Sequence, residues 1–311
     1  MVTRQINGDK EIISAGHKLG QLIGDWWEMK VIFPFLQEVA NSLGLFLDSR
    51  VVARTCRTGK VQWADTEGNY VDYDYVLELG GSASNIGVPV AFLESFWRRG
   101  ARHSKDKARD DTNKLLPMRQ TYPTARFLAI AACGEFTEPA REYVRTRNVE
   151  LFFVSKEKIV EAFQSIGVQI DYSDSLPELK KMELVRAVEA RLNDASEMQA
   201  AINLRRIAGP TAFTSFKQRI CSALTAAPQE VRIFSLARYD PAVFDSIQNA
   251  AVFLSNDHPV FPVEGKIHQF EYEVSFSDGS VFSRTLYTIN EVREVNSQLL
   301  LLVNHVSQLA L

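Results

Sequence analysis

Cysteine is scarce in this chain of 311 residues, which contains three. Cys56, Cys133 and Cys221 are far apart and none belongs to a CxxC pair, so the spacing gives no sign of a zinc or redox site. We interpret each of the three as a small buried side chain, which is the common environment of a free cysteine.

Long apolar runs are also missing. No run approaches the roughly 18–20 residues that span a bilayer, and the first residues, MVTRQINGDKEII, lack the basic-then-apolar order of a secretory signal. We therefore expect a cytoplasmic protein without membrane attachment. The chain has neither a GxxxxGK[ST] loop nor a GxGxxG turn, which argues against the nucleotide-binding folds that use them.

Positive charge is not in excess overall, since 35 Lys and Arg against 38 Asp and Glu give a formal net charge of −3. Binding to nucleic acid would need a local patch. Residues 98–119 form such a patch, with eight cations against three acids. We predict that phosphates contact its first part, which also offers the donors of His103 and Ser104. The predicted nucleic-acid-binding residues are Arg98, Arg99, Arg102, Lys105, Lys107 and Arg109.

The chain is 46% apolar, as expected of a packed protein. Helical periodicity predicts two helices, or one bent at Pro34, between residues 9 and 48. The stretches RVVARTCRTG and KVQWADTEGN resemble short strands, and two more strands follow. Those two strands are predicted at 70–79 and 88–95. Further along, a surface helix is predicted at 104–121, a buried strand at 125–133, a helix at 137–147, a second buried strand at 149–155 and a helix at 155–167.

The last third of the chain has a different character. Residues 176–206 are predicted to be helical, and IAGPTAF (207–213) is the most plausible hinge. KIHQFEYEVSF alternates like a half-buried strand that includes His268, SDGS predicts a tight turn, and a helix is expected from residue 290 to 309. We therefore divide the chain into residues 1–207 and a smaller α+β domain at 208–311.

Two acids stand at the ends of neighbouring apolar runs. Asp74 heads YVLEL and Glu94 ends PVAFLE. A hairpin would bring them near each other, with Glu78 as a third candidate that could equally form a salt bridge to the basic helix. Carboxylates that meet at a strand end repel unless a cation neutralises them, and oxygen-only sites suit Mg²⁺ or Mn²⁺.

The stretches YDYVLE and PVAFLES resemble the motif of the PD-(D/E)xK nuclease superfamily. The resemblance covers about half of the chain and implies an α/β, restriction-endonuclease-like αβββαβ core with a mixed sheet flanked by helices. It implies Asp74 and Glu94 as metal ligands, with Glu28 as an assisting acid and Glu38 in reserve. Where the family has lysine, two residues after the glutamate, this chain has Phe96; Lys105, Lys107 or Arg98 would then supply the positive charge.

The function that this resemblance implies is a Mg²⁺-dependent DNA endonuclease of restriction or other defence type, in which Mn²⁺ can substitute. Cutting both strands implies a homodimer. The C-terminal domain would recognise the target or dimerise, and a methyltransferase or other defence protein could be a partner. Two alternatives stay open: a nuclease fold that only binds nucleic acid or a partner protein, and an unrelated α/β enzyme acting on a small phosphorylated substrate.

Overall fold

The computed structural model describes residues 14–101, 104–235, 241–256 and 269–309. It belongs to the mixed α/β class, with a mixed sheet flanked by helices, and this part of the predicted fold class is confirmed. In the described ranges no helix is both long enough and apolar enough to cross a bilayer.

The leading helical region changes its winding before Pro34. Helix α1 (Ala15–Trp26) passes into a π-helical turn (Trp27–Ile32), and α2 (Phe33–Ser42) begins with Pro34 in its first turn. Proline has no backbone N–H and crowds the carbonyl four residues earlier, so a wider turn ahead of it relieves the conflict. The chain stays helical from Ala15 to Ser42, so the structure shows a change of winding ahead of Pro34 and no break in the helix.

The central sheet has five strands in the order β1-β4-β5-β6-β7. β4 is antiparallel to both of its neighbours, whereas β5, β6 and β7 run parallel. The hairpin of β2 and β3 lies beside this sheet as a separate pair. The strands are β1 (Phe46–Ser49), β2 (Val61–Ala64), β3 (Tyr70–Tyr73), β4 (Tyr75–Leu79), β5 (Val88–Arg98), β6 (Phe127–Gly134) and β7 (Glu150–Ser155).

Helices cover both faces of this sheet. The α1–α2 region and α5 (Lys156–Gln164) bury one face in a core that contains Trp27, Leu36, Leu93 and Phe163. Helices α3 (Ser104–Thr121) and α4 (Glu138–Arg145) cover the opposite face. β6 is buried along its whole length, as its continuous apolar run predicts.

Two strand predictions need correction. Residues 50–59, predicted as a strand, form a loop, because Arg54 and Arg57 there reach back to the carboxylate of Asp48 at the end of β1. The predicted strand at 70–79 is interrupted at Asp74, so that β3 pairs with β2 and β4 joins the central sheet.

Helices α6 (Glu178–Arg191), α7 (Asp194–Ala208) and α8 (Pro210–Thr225) follow. The predicted boundary at residues 207 and 208 falls at the end of α7, just before Gly209, whose φ of 93° makes the turn into α8. The apolar side chains of α8, including Phe213 and Phe216, lie in the first core. A second core therefore begins only after α8.

The second core is built on an antiparallel sheet with the order β11-β10-β8-β9. The alternation predicted for β10 is confirmed from Phe270 to Phe276, and the tight turn at 277–280 joins β10 to β11. His268 lies outside the described residues. The elements are β8 (Pro228–Ser235), β9 (Ala242–Phe244), α9 (Ile247–Ser255), β10 (Phe270–Phe276), β11 (Val281–Leu286) and α10 (Ile289–Leu309).

The three cysteines are not equivalent. Cys133 is buried in β6, as predicted, whereas Cys56 and Cys221 are partly exposed. The prediction of three buried thiols is therefore wrong for two of them, since Cys56 lies in the loop that replaces the predicted strand.

Candidate functional site

The central sheet places Asp74 opposite Glu94. Tyr75 of β4 pairs with Leu93 of β5, so the next step along the antiparallel register brings Asp74 level with Glu94. One carboxylate oxygen of Asp74 accepts a hydrogen bond from the backbone N–H of Ser95 at 2.7 Å. This bond fixes the Asp74 side chain against β5 at the point where β4 begins.

Glu94 is buried, with 2% of its surface exposed, and its side chain faces α3. Burial raises the pKa of its carboxyl group from the ordinary value of 4.5 to about 8, and the charge of Asp74 acts in the same direction. Lys114 of α3 opposes the shift with its ammonium group 2.7 Å from Glu94 Oε1. The carboxyl group is therefore under-compensated and would gain from further positive charge.

A second acid from α3 joins this region. Asp111 is buried, and its Oδ1 lies 2.6 Å from the ammonium group of Lys107, one turn earlier. Its Oδ2 has no hydrogen-bond partner among the described residues. Burial raises the pKa of Asp111, with a contribution from the charge of Asp74.

Glu28 approaches from the other face of the sheet. The π-helical turn carries it, and its backbone carbonyl accepts a hydrogen bond from the hydroxyl of Tyr75 at 2.7 Å. Its carboxylate binds Arg50 at 2.7 Å. Burial raises the pKa of Glu28, and the charge of Asp74 raises it further, so Glu28 lies within electrostatic reach of the pair. Glu38, the reserve, binds Arg205 of α7 instead.

The lysine that contacts Glu94 differs from the candidates chosen by sequence. Lys105 is exposed on α3, and Lys107 binds Asp111. Lys114 was counted in the basic stretch but was not predicted as the site cation. The available signal was helical spacing, because residues three, four and seven positions apart share one face of a helix, which places Lys107, Asp111 and Lys114 together.

Phe96 packs into the core at the position where the family motif has lysine. Its ring centre lies 5.3 Å from that of Phe136, in an edge-to-face arrangement, and 5.6 Å from the ammonium group of Lys107. The apolar face of α3 thus meets an apolar side chain here, and the nearby cations come from the helix instead of from β5.

Glu78 does not reach the basic helix. Arg54 binds both of its carboxylate oxygens, at 2.6 and 3.1 Å, and the backbone N–H of Gly87 donates to it at 2.7 Å. The alternatives of a third metal ligand and of a salt bridge to α3 are therefore both wrong for Glu78.

The predicted phosphate-binding residues have different surroundings. Arg98 is exposed at the end of β5, and the side chain of Arg109 is 56% exposed. Arg99 is bound to Asp174 and stacks over the ring of Tyr172 at 4.2 Å, so it anchors the segment after α5. Arg102 and His103 lie outside the described residues.

The Ser104 hydroxyl, predicted as a further phosphate donor, is buried and shares a hydrogen bond of 3.1 Å with Thr137. It is therefore not available to a phosphate group.

The donor chemistry of Asp74 and Glu94 fits a hard divalent cation. Both supply oxygen, and both gain from positive charge placed between them. In the described part of the chain, no group of three or more His, Cys, Asp or Glu is arranged to hold a metal ion. A tetrahedral zinc site needs more protein ligands than this pair supplies, whereas one or two carboxylates are the number that Mg²⁺ sites commonly use.

Comparison with known proteins leaves the family open. No protein-family model matches the chain, and no curated protein matches it. Among solved structures, the chain is similar to a crystal structure of a protein of unknown function, AF1548, with 13% sequence identity and a TM-score of 0.26. The alignment covers 56% of this chain and 98% of that one.

Proposed function

We propose that this protein is a Mg²⁺-dependent DNA endonuclease of restriction or other defence type. The observation that carries the proposal is the buried, under-compensated carboxyl group of Glu94 on β5, level with Asp74 at the start of β4 and 2.7 Å from the ammonium group of Lys114. Perturbed carboxylates beside a cation are typical of functional sites.

The order of elements supports a restriction-endonuclease-like core. A helical region, three strands of the central sheet, a helix and a further strand follow one another from α1 to β6. Asp74 immediately precedes the second of these strands and Glu94 lies on the third, an arrangement similar to that of the PD-(D/E)xK motif. The β2–β3 hairpin is then an insertion between the first two strands.

Each side chain has a definite role in the proposal. Asp74 and Glu94 would hold the metal, which would supply Lewis-acid chemistry by lowering the pKa of water and stabilising charge on the phosphoryl oxygens. Lys114 would take the place of the lysine that the motif has at Phe96, and its ammonium group would orient the attacking water. Glu28 would assist from the other face of the sheet, within electrostatic reach of Asp74.

Substrate binding falls to the cations along α3 and the end of β5. Arg98, Lys105 and Arg109 are exposed, and Lys107 lies beside the acids, so together they can oppose the phosphate backbone. Cleavage of both strands of a duplex calls for two such sites, and we propose a homodimer. A methyltransferase partner would accompany a restriction role.

Plasmid cleavage tests the proposal. Purified protein is incubated with supercoiled plasmid in Mg²⁺, Mn²⁺ or EDTA. The variants Asp74→Asn and Glu94→Gln are tested beside it, with Asp110→Asn, which changes an exposed acid of α3, as the control. We expect metal-dependent nicking or linearisation by the wild type and the control, and loss of it in the first two variants. Cleavage that persists in Asp74→Asn and Glu94→Gln would overturn the proposal.

A binding module without catalysis is the second candidate, and the burial of Phe96 at the lysine position favours it. It predicts intact plasmid in every lane together with a gel shift that is independent of Mg²⁺ and equal in Glu94→Gln and wild type. The same gels therefore separate the two candidates.

A further inference from the structure

A large cleft lies at the other end of the central sheet, between the two cores. Its volume is about 1010 Å³, and the end of α3, the starts of β6 and β7, α8 and the tight turn 277–280 contribute to its walls. Arg126 at this end hydrogen-bonds through its backbone to Val90. Val90 is four residues before Glu94 on β5, about 13 Å along the strand. The cleft is thus separate from the acidic pair.

Arginine dominates the lining of the cleft. Four arginines and two acids line it, and a third acid, Glu138, pairs with Arg145 from outside the lining at 3.4 Å, which leaves one arginine in excess. The arginines are Arg119, Arg126, Arg145 and Arg219, and the acids are Glu150 and Asp278.

The two acids leave the charge unevenly compensated. Glu150 binds Arg219 at 2.8 Å, and Asp278 lies 3.4 Å from Arg126. Arg119 donates to a backbone carbonyl, that of Asn148, at 3.2 Å, and forms no ion pair with another described residue. A neutral carbonyl supplies less compensation to a guanidinium group than a carboxylate does.

Arg126 is the buried cation of the cleft. Its side chain is 6% exposed, its guanidinium group stacks on the ring of Phe276 at 3.3 Å, and it donates to Ser280 Oγ at 2.8 Å. Burial, together with the like charge of Arg119, lowers the pKa of Arg126 to about 10 against the effect of Asp278. Burial also lowers the pKa of Arg119. Two neighbouring guanidinium groups that lose solvent without full pairing would be stabilised by an anion.

The shape of the cleft favours a small ligand. Its volume is at the upper end of the range for small-molecule sites, roughly 300–1,000 Å³. Guanidinium groups bind phosphate oxygens bidentately. A duplex presents its phosphates on a convex surface, whereas Arg126 lies recessed under Phe276.

We propose that the cleft between the two cores binds a small, multiply charged phosphorylated molecule of nucleotide size, held by Arg119, Arg126, Arg145 and Arg219. Such a ligand bridges the end of α3 and the turn of the second sheet, so its binding ties the two cores together. This proposal does not depend on the nuclease proposal.

Calorimetry on the full chain tests it. Inorganic pyrophosphate and ADP are titrated in metal-free buffer at fixed ionic strength, into wild type, Arg119→Gln, Arg219→Gln and the control Arg147→Gln. Arg147 stacks on Tyr143 at 3.6 Å and does not line the cleft. We expect both probes to bind the wild type and the control with equal affinity, and Arg119→Gln to weaken binding about tenfold or more. The thermal midpoint should rise with either probe in the wild type.

Three outcomes overturn the proposal. The first is no binding of either probe to the wild type, and the second is equal binding in Arg119→Gln and Arg147→Gln. The third is a short DNA duplex that binds and loses affinity in Arg119→Gln while pyrophosphate and ADP do not bind, because the cleft would then serve nucleic acid. Arg219→Gln keeps the test valid if Arg119→Gln fails to fold, since Arg219 is a partly exposed residue of α8.

Discussion

Two clusters of buried acids lie on the same central sheet, and they differ in how completely their charges are compensated. At β1 and β4, Asp48 and Glu78 share the guanidinium group of Arg54, at 2.7 and 2.6 Å, and Arg57 adds a second contact to Asp48 at 2.6 Å. This cluster anchors the loop at 50–59 to the central sheet. We interpret it as structural.

At β4 and β5 the compensation is incomplete. Glu94 has one ammonium partner, Lys114, and its pKa is raised to about 8; Asp111 keeps an oxygen without a hydrogen-bond partner in the described part of the chain. Burial alone therefore does not separate structural acids from functional ones. The distinction lies in whether the protein supplies its own counter-charge or leaves room for a ligand to supply it.

The largest effect is expected from removing the counter-charge of the structural cluster. Arg54→Met leaves Asp48 and Glu78 buried with fewer partners, and we expect a loss of about 3–5 kcal/mol in the free energy of unfolding. Urea unfolding followed by circular dichroism measures it. The control is Arg50→Met, whose half-exposed pairs with Asp25 and Glu28 should contribute less than about 1 kcal/mol. Equal losses in both variants would remove the distinction between the clusters.

Neutralising Glu94 should raise the free energy of unfolding, whereas Arg54→Met should lower it. In EDTA the folded wild type holds the Glu94 proton up to about pH 8, whereas the unfolded chain releases it near 4.5. The folded state therefore binds more protons between these pH values, and wild-type stability falls as pH rises through that window.

Glu94→Gln has no carboxyl group to titrate at this position, so its stability should not fall in this way as the pH rises. Relative to wild type it should gain about 2–4 kcal/mol between pH 4.5 and pH 8.5, measured by urea unfolding across the range. A difference between the two proteins that does not change with pH would show that the Glu94 carboxyl group titrates normally.

The next effect concerns Lys114, which we propose takes the role of the lysine that the nuclease motif has at the position of Phe96. Lys114→Met removes the ammonium group beside Glu94, and we expect plasmid cleavage to slow by roughly 100-fold. Lys105→Met, at the exposed start of α3, should retain the cleavage rate to within a few-fold. The measurement is the initial rate of supercoil loss at saturating Mg²⁺. The reverse ranking of the two variants would return the role to the lysine nearer to Glu94 in sequence.

The smallest effect separates two cations of the basic stretch. Arg109 is 56% exposed and only loosely paired, with Asp106 at 3.5 Å, whereas Arg99 is 26% exposed and held by Asp174 and the ring of Tyr172. Arg109→Gln should lower the salt dependence of DNA affinity by about one unit of log–log slope. Arg99→Gln should leave that slope unchanged, as measured by fluorescence anisotropy across a salt series in EDTA. A change of slope in Arg99→Gln alone would contradict the assignment.

Local patterns were sufficient to predict most of the sheet and its helices. β6 follows from its continuous apolar run, which indicates burial on both faces. β10 follows from its alternation, which indicates burial on one face. The loop at 50–59 could not be predicted in this way. Its apolar and β-branched residues are typical of a strand, but side-chain bonds from Arg54 and Arg57 to Asp48 hold it, and such contacts have no local signature.

The candidate site was predictable in its acids and not in its cation. Asp74 and Glu94 follow from their positions at the ends of apolar runs, whereas their register is set by the pairing of β4 with β5, which the sequence does not specify. Lys105, Lys107 and Arg98 are the cations that the sequence offers close after Glu94. Along α3, however, Lys114 lies about 13 Å from Lys105, and the direction of the helix across β5 decides which of them meets the acid.

Calorimetric titration of the metal-free protein with Mg²⁺ at pH 7 tests the central claim most directly, with Asp74→Asn and the control Asp110→Asn alongside, in two buffers of different ionisation enthalpy. The account predicts Mg²⁺ binding by wild type and control, with release of a proton from Glu94, and no binding by Asp74→Asn. Equal Mg²⁺ binding in all three proteins, or none in the wild type, would contradict the assignment of Asp74 and Glu94 as the metal-binding pair.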